Sequence, residues 1–282
     1  MRSSRQPVVR IFCGLTLALL IWLPGGGCKS APRGAVDLPA TDQFEREQLR
    51  IHSDIRLPRK HRLLDELTAR RRDISEKLCL PVSDEPIHVY LFDDPQRFAE
   101  YMEAHHPDFP KRRAFFVKND TDLRVYAHWG PQVGEDLRHE VTHGYLHSVV
   151  NRIPLWLDEG LAEYFELPRG SGGFHRRHVV HLVEAARSAD WVPDLLRLES
   201  LPGPAEMTQT DYAEAWLWVH FLLNTSQSRQ QLLQDQLARW RLEGDAGPFS
   251  DLLHNGPGIL PVDYEAELVD HLEQLAHRAA AE

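Results

Sequence analysis

The sequence predicts an α+β protein: a strand-containing N-terminal part carrying the residues of interest, followed by a mainly helical part. Three observations predict it. Strand patterns such as "IHVYLF" (87–92) and "LRVYAHW" (123–129) alternate with helical periodicity before residue 150. A histidine-rich helical stretch, "DLRHEVTHGYLH" (136–147), follows directly on a strand pair. After Gly173 the apolar spacing is helical throughout, with no strand pattern between the helices.

In chain order, the first segment is a sorting signal. Arg2, Arg5 and Arg10 precede an apolar run from Ile11 to Leu23, too short to span a bilayer comfortably, and then "PGGGC" ending at Cys28. Gly25, Gly26, Gly27 and Cys28 resemble a bacterial lipobox, although position 25 holds Gly in place of the usual Leu or Val. The resemblance implies cleavage after residue 27, a lipid on Cys28, attachment to a membrane through that lipid, and an exported protein of the bacterial cell envelope. Simple secretion with cleavage nearby, or an uncleaved anchor, would use the same features. Residues 28–41, including "KSAPRGAVDLPAT", have no periodicity and are expected to be a flexible tether. The remainder divides into an α+β lobe, 42–150, and a mainly helical lobe, 151–282.

Removing residues 1–27 takes away three Arg and no acid, leaving 29 basic and 42 acidic side chains and a formal charge of −13. That balance argues against nucleic acid as a partner, since binding needs a basic stripe. The clusters "RLPRKHR" and "TARRRD" lie among acids and read as solvated helix surface. With Cys13 in the signal and Cys28 lipidated, Cys79 is left without a disulfide partner, so stability must come from an ordinary core.

Within the first lobe, "FEREQLRIHSDI" (44–55) is expected to be one strand and residues 58–78 an amphipathic helix ended by Pro81. "IHVYLF" is a strand, and "DPQRFAEYMEAHH" a helix started by Asp93 or Asp94. "RAFFVK" and "LRVYAHW" form a hairpin around "NDTD". The second lobe is expected to hold helices over 174–188, 211–224, 227–243 and 262–281.

The chemistry concentrates in "HEVTH". His139 and His143, four residues apart, lie about 40° apart around a helix axis and one turn apart along it, so both rings can reach one ion. Glu140 is rotated by one residue, placed to touch a water on that ion without ligating it. A random chain of this composition contains such a pattern with a probability of roughly 0.07, so the weight rests on its surroundings. Asn151 and Pro154 break the helix and "LWLDEGLAEYFE" (155–166) runs back, bringing Glu159 toward the same ion. Two imidazoles and one carboxylate leave a fourth position open, as a catalytic zinc requires.

"HEVTH" followed by "WLDEGLAEYFE" resembles the gluzincin metallopeptidases, the clan that includes thermolysin and the zinc aminopeptidases, and in particular the smaller peptidase-MA-like bacterial proteins. The resemblance covers about residues 85–225 and is specific around 138–166. It implies a zincin-like fold, one zinc ion per chain held by His139, His143 and Glu159, and Glu140 as general base. It also implies that Glu163 orients His139 through its other ring nitrogen, and that Tyr212 of "TDYAEAWLWVHFL" donates to the oxyanion. The implied activity is hydrolysis of a peptide or protein substrate. The same zinc could act on another amide or ester of the envelope, and a non-catalytic, membrane-anchored binding module would keep the fold without the chemistry.

Six further positions carry expectations. His147 is expected to pack or face solvent; Arg138 could contact substrate or an acid in the cleft, but the sequence does not assign it that role. Tyr126 should lie on the strand bordering the cleft, a strand without the Gly-x-Met-Glu-Asn signature with which aminopeptidases hold a free amino terminus. His175, His178 and His181 form a cluster without evident carboxylate or cysteine partners, which argues against a second metal there.

Overall fold

The computed structural model describes residues 36–244, 246–255 and 263–281. The expected signal, Cys28 and the tether up to residue 35 lie outside the described residues. In chain order the elements are β1 (Asp42–Arg46), β2 (Leu49–Ser53), α1 (Arg62–Leu78), β3 (Ile87–Phe92), α2 (Pro95–His105), β4 (Ala114–Lys118), β5 (Leu123–His128), α3 (Val133–His147), α4 (Leu155–Phe165), α5 (Arg176–Arg187), α6 (Leu195–Ser200), α7 (Gln209–Asn224), α8 (Gln227–Glu243), α9 (Phe249–Asn255) and α10 (Tyr264–Ala281). This is a mixed α/β molecule, as the α+β expectation requires. Among the described residues no helix is long and apolar enough to cross a membrane.

The five strands form one mixed sheet in the order β1-β2-β3-β5-β4. β2, β3 and β5 run parallel to their neighbours in that series, while β1 and β4 pair antiparallel at the two edges. Side chains alternate between faces. Leu49, Ile51, Ile87, Val89, Leu123 and Val125 belong to the main core, beneath α1 and α3, whereas Tyr90, Phe92, Phe115 and Tyr126 pack with Phe98, Tyr101 and Met102 of α2. The strand of Tyr126 reaches the cleft beside α3 only at its end, through His128; Tyr126 itself is buried under α2, and the sheet edge on that side is β4, not β5.

Three local expectations are corrected. "FEREQLRIHSDI" is a hairpin, not one strand; Glu47 takes a left-handed φ of 51° at the turn, and buried Gln48 donates to the Glu85 carbonyl at 2.8 Å. No Gly or Asn marks that turn, and the contact that supports it comes from a residue 37 positions away. α1 starts at Arg62, not near Pro58, because His61 caps it by accepting from the Leu63 amide, and it ends at Cys79, whose left-handed conformation turns the chain before Pro81 is reached. Within "TARRRD", Arg70 is buried and donates to the Leu167 carbonyl at 2.7 Å, so that cluster is not solvated surface throughout. Elsewhere Asp94 caps α2 as a helix start should, accepting from the Gln96 and Arg97 amides.

α6 and α9 were not expected, being six and seven residues long, too short to show periodicity. Both are tied by side chains: Asp194 caps α6, and Glu199 of α6 accepts from the Phe249 and Ser250 amides at the start of α9. α7 is buried on nearly every side, and the main core runs without interruption from the sheet through Trp156, Trp216 and Trp218 to Leu272 of α10.

α4 lies closest to α7. A Cβ built on Gly160 would sit 2.5 Å from the Ala215 carbonyl oxygen, so only glycine allows this approach. The adjacent Glu159 takes its position from it. Gly160→Ala should destabilise the fold by about 1–3 kcal/mol or more by forcing the two helices apart, read as a lower denaturation midpoint at unchanged slope; an unchanged midpoint would mean that the approach is not tight.

Candidate metal centre

α3 crosses the sheet with Leu137, Val141 and Tyr145 buried beneath it, and Tyr145 donates to the Leu67 carbonyl of α1 at 3.1 Å. Its other face presents His139 and His143. Arg113 grips Asp136 through two nitrogens, with the shortest contact 2.7 Å, which joins the start of β4 to the first turns of α3. The return into α4 carries Glu159 back against the imidazoles.

The three candidate ligand atoms converge. His139 Nε2 and His143 Nε2 are 3.3 Å apart, and Glu159 Oε2 is 3.5 Å from the first and 3.7 Å from the second. A tetrahedral zinc with bonds of about 2.0–2.2 Å places its ligand atoms roughly 3.3–3.6 Å from one another, so the triangle fits such an ion with little adjustment. The two rings cross at 73°, which lets both lone pairs aim at one point. Glu159 Oε2 is buried and accepts no hydrogen bond among the described residues. A desolvated anionic oxygen without a donor is costly unless a cation compensates it.

The outer ring nitrogens also have acids. His139 Nδ1 meets Glu166 Oε2 at 2.9 Å. His143 Nδ1 lies 3.0 Å from Asp158 Oδ1, off the line of a good hydrogen bond, and Asp158 Oδ2 meets His147 Nε2 at 2.8 Å. Such carboxylates fix the tautomer that leaves Nε2 free for a metal. They also make the site favour positive charge. Burial works to lower both histidine pKa values, yet Glu159 and Glu166 raise that of His139 well above its ordinary value, and Asp158 and Glu159 raise that of His143 to about 9. Burial would raise Glu159, but His139 and His143 hold it below the usual carboxylate range. Glu140 moves the other way, raised because burial outweighs the nearby imidazoles.

Glu140 and His139 line a cleft of about 800 Å3, with Tyr212 of α7 and Arg112, just before β4, also on its wall. Arg112 Nη2 donates to Tyr212 Oη at 2.9 Å, which leaves the phenol proton for another acceptor. Phe116 of β4 stacks on His143 and His147. A second hollow of about 630 Å3, lined by Arg70, Asp73 and Arg169, contains neither His139 nor Glu140.

Several expected roles are redistributed. Glu163 does not hold His139: its Oε2 meets His178 Nε2 at 2.9 Å, and Glu166 takes the place on His139. Glu166 follows Glu159 by seven residues, two helical turns, so it shares the face of Glu159; that spacing could have flagged it. Asp158 was legible only as the neighbour of Glu159, and nothing in the sequence marks Arg112 beyond its place between Lys111 and Arg113. Arg138 does not reach the cleft; it donates to the Glu166 backbone carbonyl and, at 3.2 Å, to Glu66 of α1, and so anchors the end of α4 where Glu166 sits. His147 packs, and does so on Asp158.

The cluster of His175 and His178 does have carboxylate partners, contrary to expectation: Glu166 Oε1 lies 3.3 Å from His175 Nε2, and Glu163 serves His178. His181 bonds Thr210 instead. Glu163, His175 and His178 could bracket an ion, but they lack two features of the first site. The rings are stacked 3.7 Å apart at 19°, so their in-plane lone pairs do not converge. His175 Nδ1 accepts the His178 amide, and His178 Nδ1 is buried without a partner, so neither ring has an acid that would present Nε2 to a metal. The geometry is that of a hydrogen-bonded extension of Glu166. Burial and the charge of Glu166 push the Glu163 carboxyl upward, while His139 and His175 outweigh burial at Glu166 and hold its pKa low.

The chain matches no protein-family model and no curated protein.

If the site holds a divalent metal, replacing Glu166 with Gln should weaken its binding about 10–100-fold, the scale of losing an acid behind a metal-bound histidine, whereas Glu163→Gln should change it little. Competition against a chromophoric chelator measures both. The reverse order of effects would return Glu163 to the role expected of it from the sequence.

Proposed function

We propose that this protein is a zinc-dependent metallopeptidase with a zincin-like site, in which Glu140 is the general base. The observation that carries the reading is the convergence of His139 Nε2, His143 Nε2 and Glu159 Oε2 into a triangle sized for one tetrahedral ion, with Glu140 on the wall of an open cleft beside it. His139, His143 and Glu159 would hold the metal, one ion per chain, with Glu166 and Asp158 behind the two imidazoles. When bound, zinc supplies Lewis acidity for the attacking water and the carbonyl it attacks.

The chain's own groups carry the rest. Glu140, desolvated and of raised pKa, takes a proton from the attacking water and returns it to the leaving amine. Tyr212 accepts from Arg112 and donates its phenol proton to the oxyanion that develops on the former carbonyl oxygen. Among the described residues β4, the sheet edge nearest the histidines, pairs with a strand on one side only, and an extended peptide can add on the other as a further strand. This favours a peptide over a compact amide or ester. Export and a lipid on Cys28 complete the proposal, placing the cleft at the cell envelope.

The test is cleavage of a mixed peptide library by zinc-loaded protein, followed by mass spectrometry. Glu140→Gln should keep its zinc and lose roughly 10²–10⁴-fold in turnover, and Tyr212→Phe should lower kcat by about 10²-fold with KM little changed. Full activity in Glu140→Gln, or no cleavage by the wild type, would overturn the reading.

A further inference from the structure

The cations around the cleft are not equivalent. Arg113 is held by Asp136 at 2.7 Å and Arg177 reaches Glu135 at 3.5 Å. Arg112 and Lys111 also line the cleft, yet neither has a carboxylate within ion-pair distance among the described residues. The hydrogen bond that Arg112 makes goes to a neutral partner, the Tyr212 hydroxyl, with the guanidinium 5.7 Å from the centre of that ring. A guanidinium has five N–H donors in a planar fork, and this contact uses one of them.

The position is as informative as the pairing. Arg112 lies four residues before Phe116, whose ring stacks on His143, and two before the first residue of edge strand β4. Arg112 Nη2 is 2.9 Å from the Tyr212 hydroxyl assigned to the oxyanion, and an extended substrate advances about 3.3 Å per residue, so a group bound by Arg112 sits within about two residues of the bond at the reacting centre. A guanidinium there without a carboxylate at ion-pair distance, with Lys111 lining the same cleft, matches a planar anion that it can grip with two parallel hydrogen bonds.

We infer that Arg112, assisted by Lys111, forms a carboxylate-binding subsite, so that the favoured substrate carries a carboxylate within about two residues of the cleaved bond. Two sources offer this chemistry: the free α-carboxylate of a peptide's C-terminus, or an Asp or Glu side chain within the chain. The inference rests on the peptidase reading for what is cleaved, but the subsite itself can be tested without turnover.

The experiment is calorimetric titration of full-length Glu140→Gln protein, both zinc-loaded and metal-free, with three N-acetylated peptides: Ala-Ala-Leu-Ala-Ala as free acid, the same peptide as C-terminal amide, and the amide with Glu replacing the fourth residue. The free acid, or the Glu-containing amide, should bind roughly tenfold or more tightly than the plain amide, the scale of a charge-assisted hydrogen-bonded pair; which of the two gains identifies the source. Adding Arg112→Gln should erase the preference among the three peptides while the variant keeps its fold and its zinc stoichiometry, a pattern that a general loss of structure would not give. Arg112→Lys, which keeps the charge without the fork, should retain part of it. Equal affinity for all three peptides, no binding by any of them at millimolar concentration, or a preference that survives Arg112→Gln would overturn the subsite. A carboxylate preference without any wild-type cleavage would remove the peptidase reading and leave the subsite standing; cleavage without the preference would do the opposite.

Discussion

A carboxylate oxygen buried away from water and given no hydrogen-bond donor is among the costlier arrangements a protein interior can hold. Glu159 Oε2 is such an oxygen among the described residues, and the inner nitrogens of His139 and His143 lie 3.5 and 3.7 Å from it. Much of the surrounding structure follows from accommodating it. The glycine beside it lets α4 approach the α7 backbone, and that approach fixes where Glu159 stands. Opposite it, the one-turn spacing of the two histidines on α3 brings their nitrogens to the same point.

Around this point the acids are graded by distance from the centre. Glu166 and Asp158 address the outer nitrogens of the two imidazoles, Arg138 ties the Glu166 backbone to α1, and His147 steadies Asp158. The helices that supply these residues share one apolar core with the sheet, so the polar centre is held between elements that cannot shift singly. On the open side, Arg112, Tyr212 and Glu140 face the cleft without being part of that inner shell.

What could be read without coordinates was local. The period of "DLRHEVTHGYLH" and the break at Asn151–Pro154 placed α3, α4 and the meeting of His139, His143 and Glu159; the hairpin around Asn119–Asp122 was equally legible, and the cap of α2 was narrowed to Asp93 or Asp94, of which Asp94 serves. What could not be read depends on partners distant in sequence. The turn at Glu47 is supported by Glu85, β4 rather than β5 is the edge because strand order is a property of the whole sheet, and the two short helices are held by Asp194 and Glu199. The choice between Glu163 and Glu166 is of the same kind. Both lie on the face of α4 that carries Glu159, and His178, arriving from α5, engages Glu163 and leaves Glu166 to His139.

The central claim is that three side chains from α3 and α4 bind one dication. Titration of the purified chain with cobalt(II) tests it most directly, because a low-symmetry site with two imidazoles and a carboxylate gives intense visible absorption. The account predicts saturation at one equivalent per chain, with the absorption lost when His139, His143 or Glu159 is singly replaced by Ala while the protein remains folded. Stoichiometric binding that persists through all three replacements, or no saturable binding by the wild type, would contradict it.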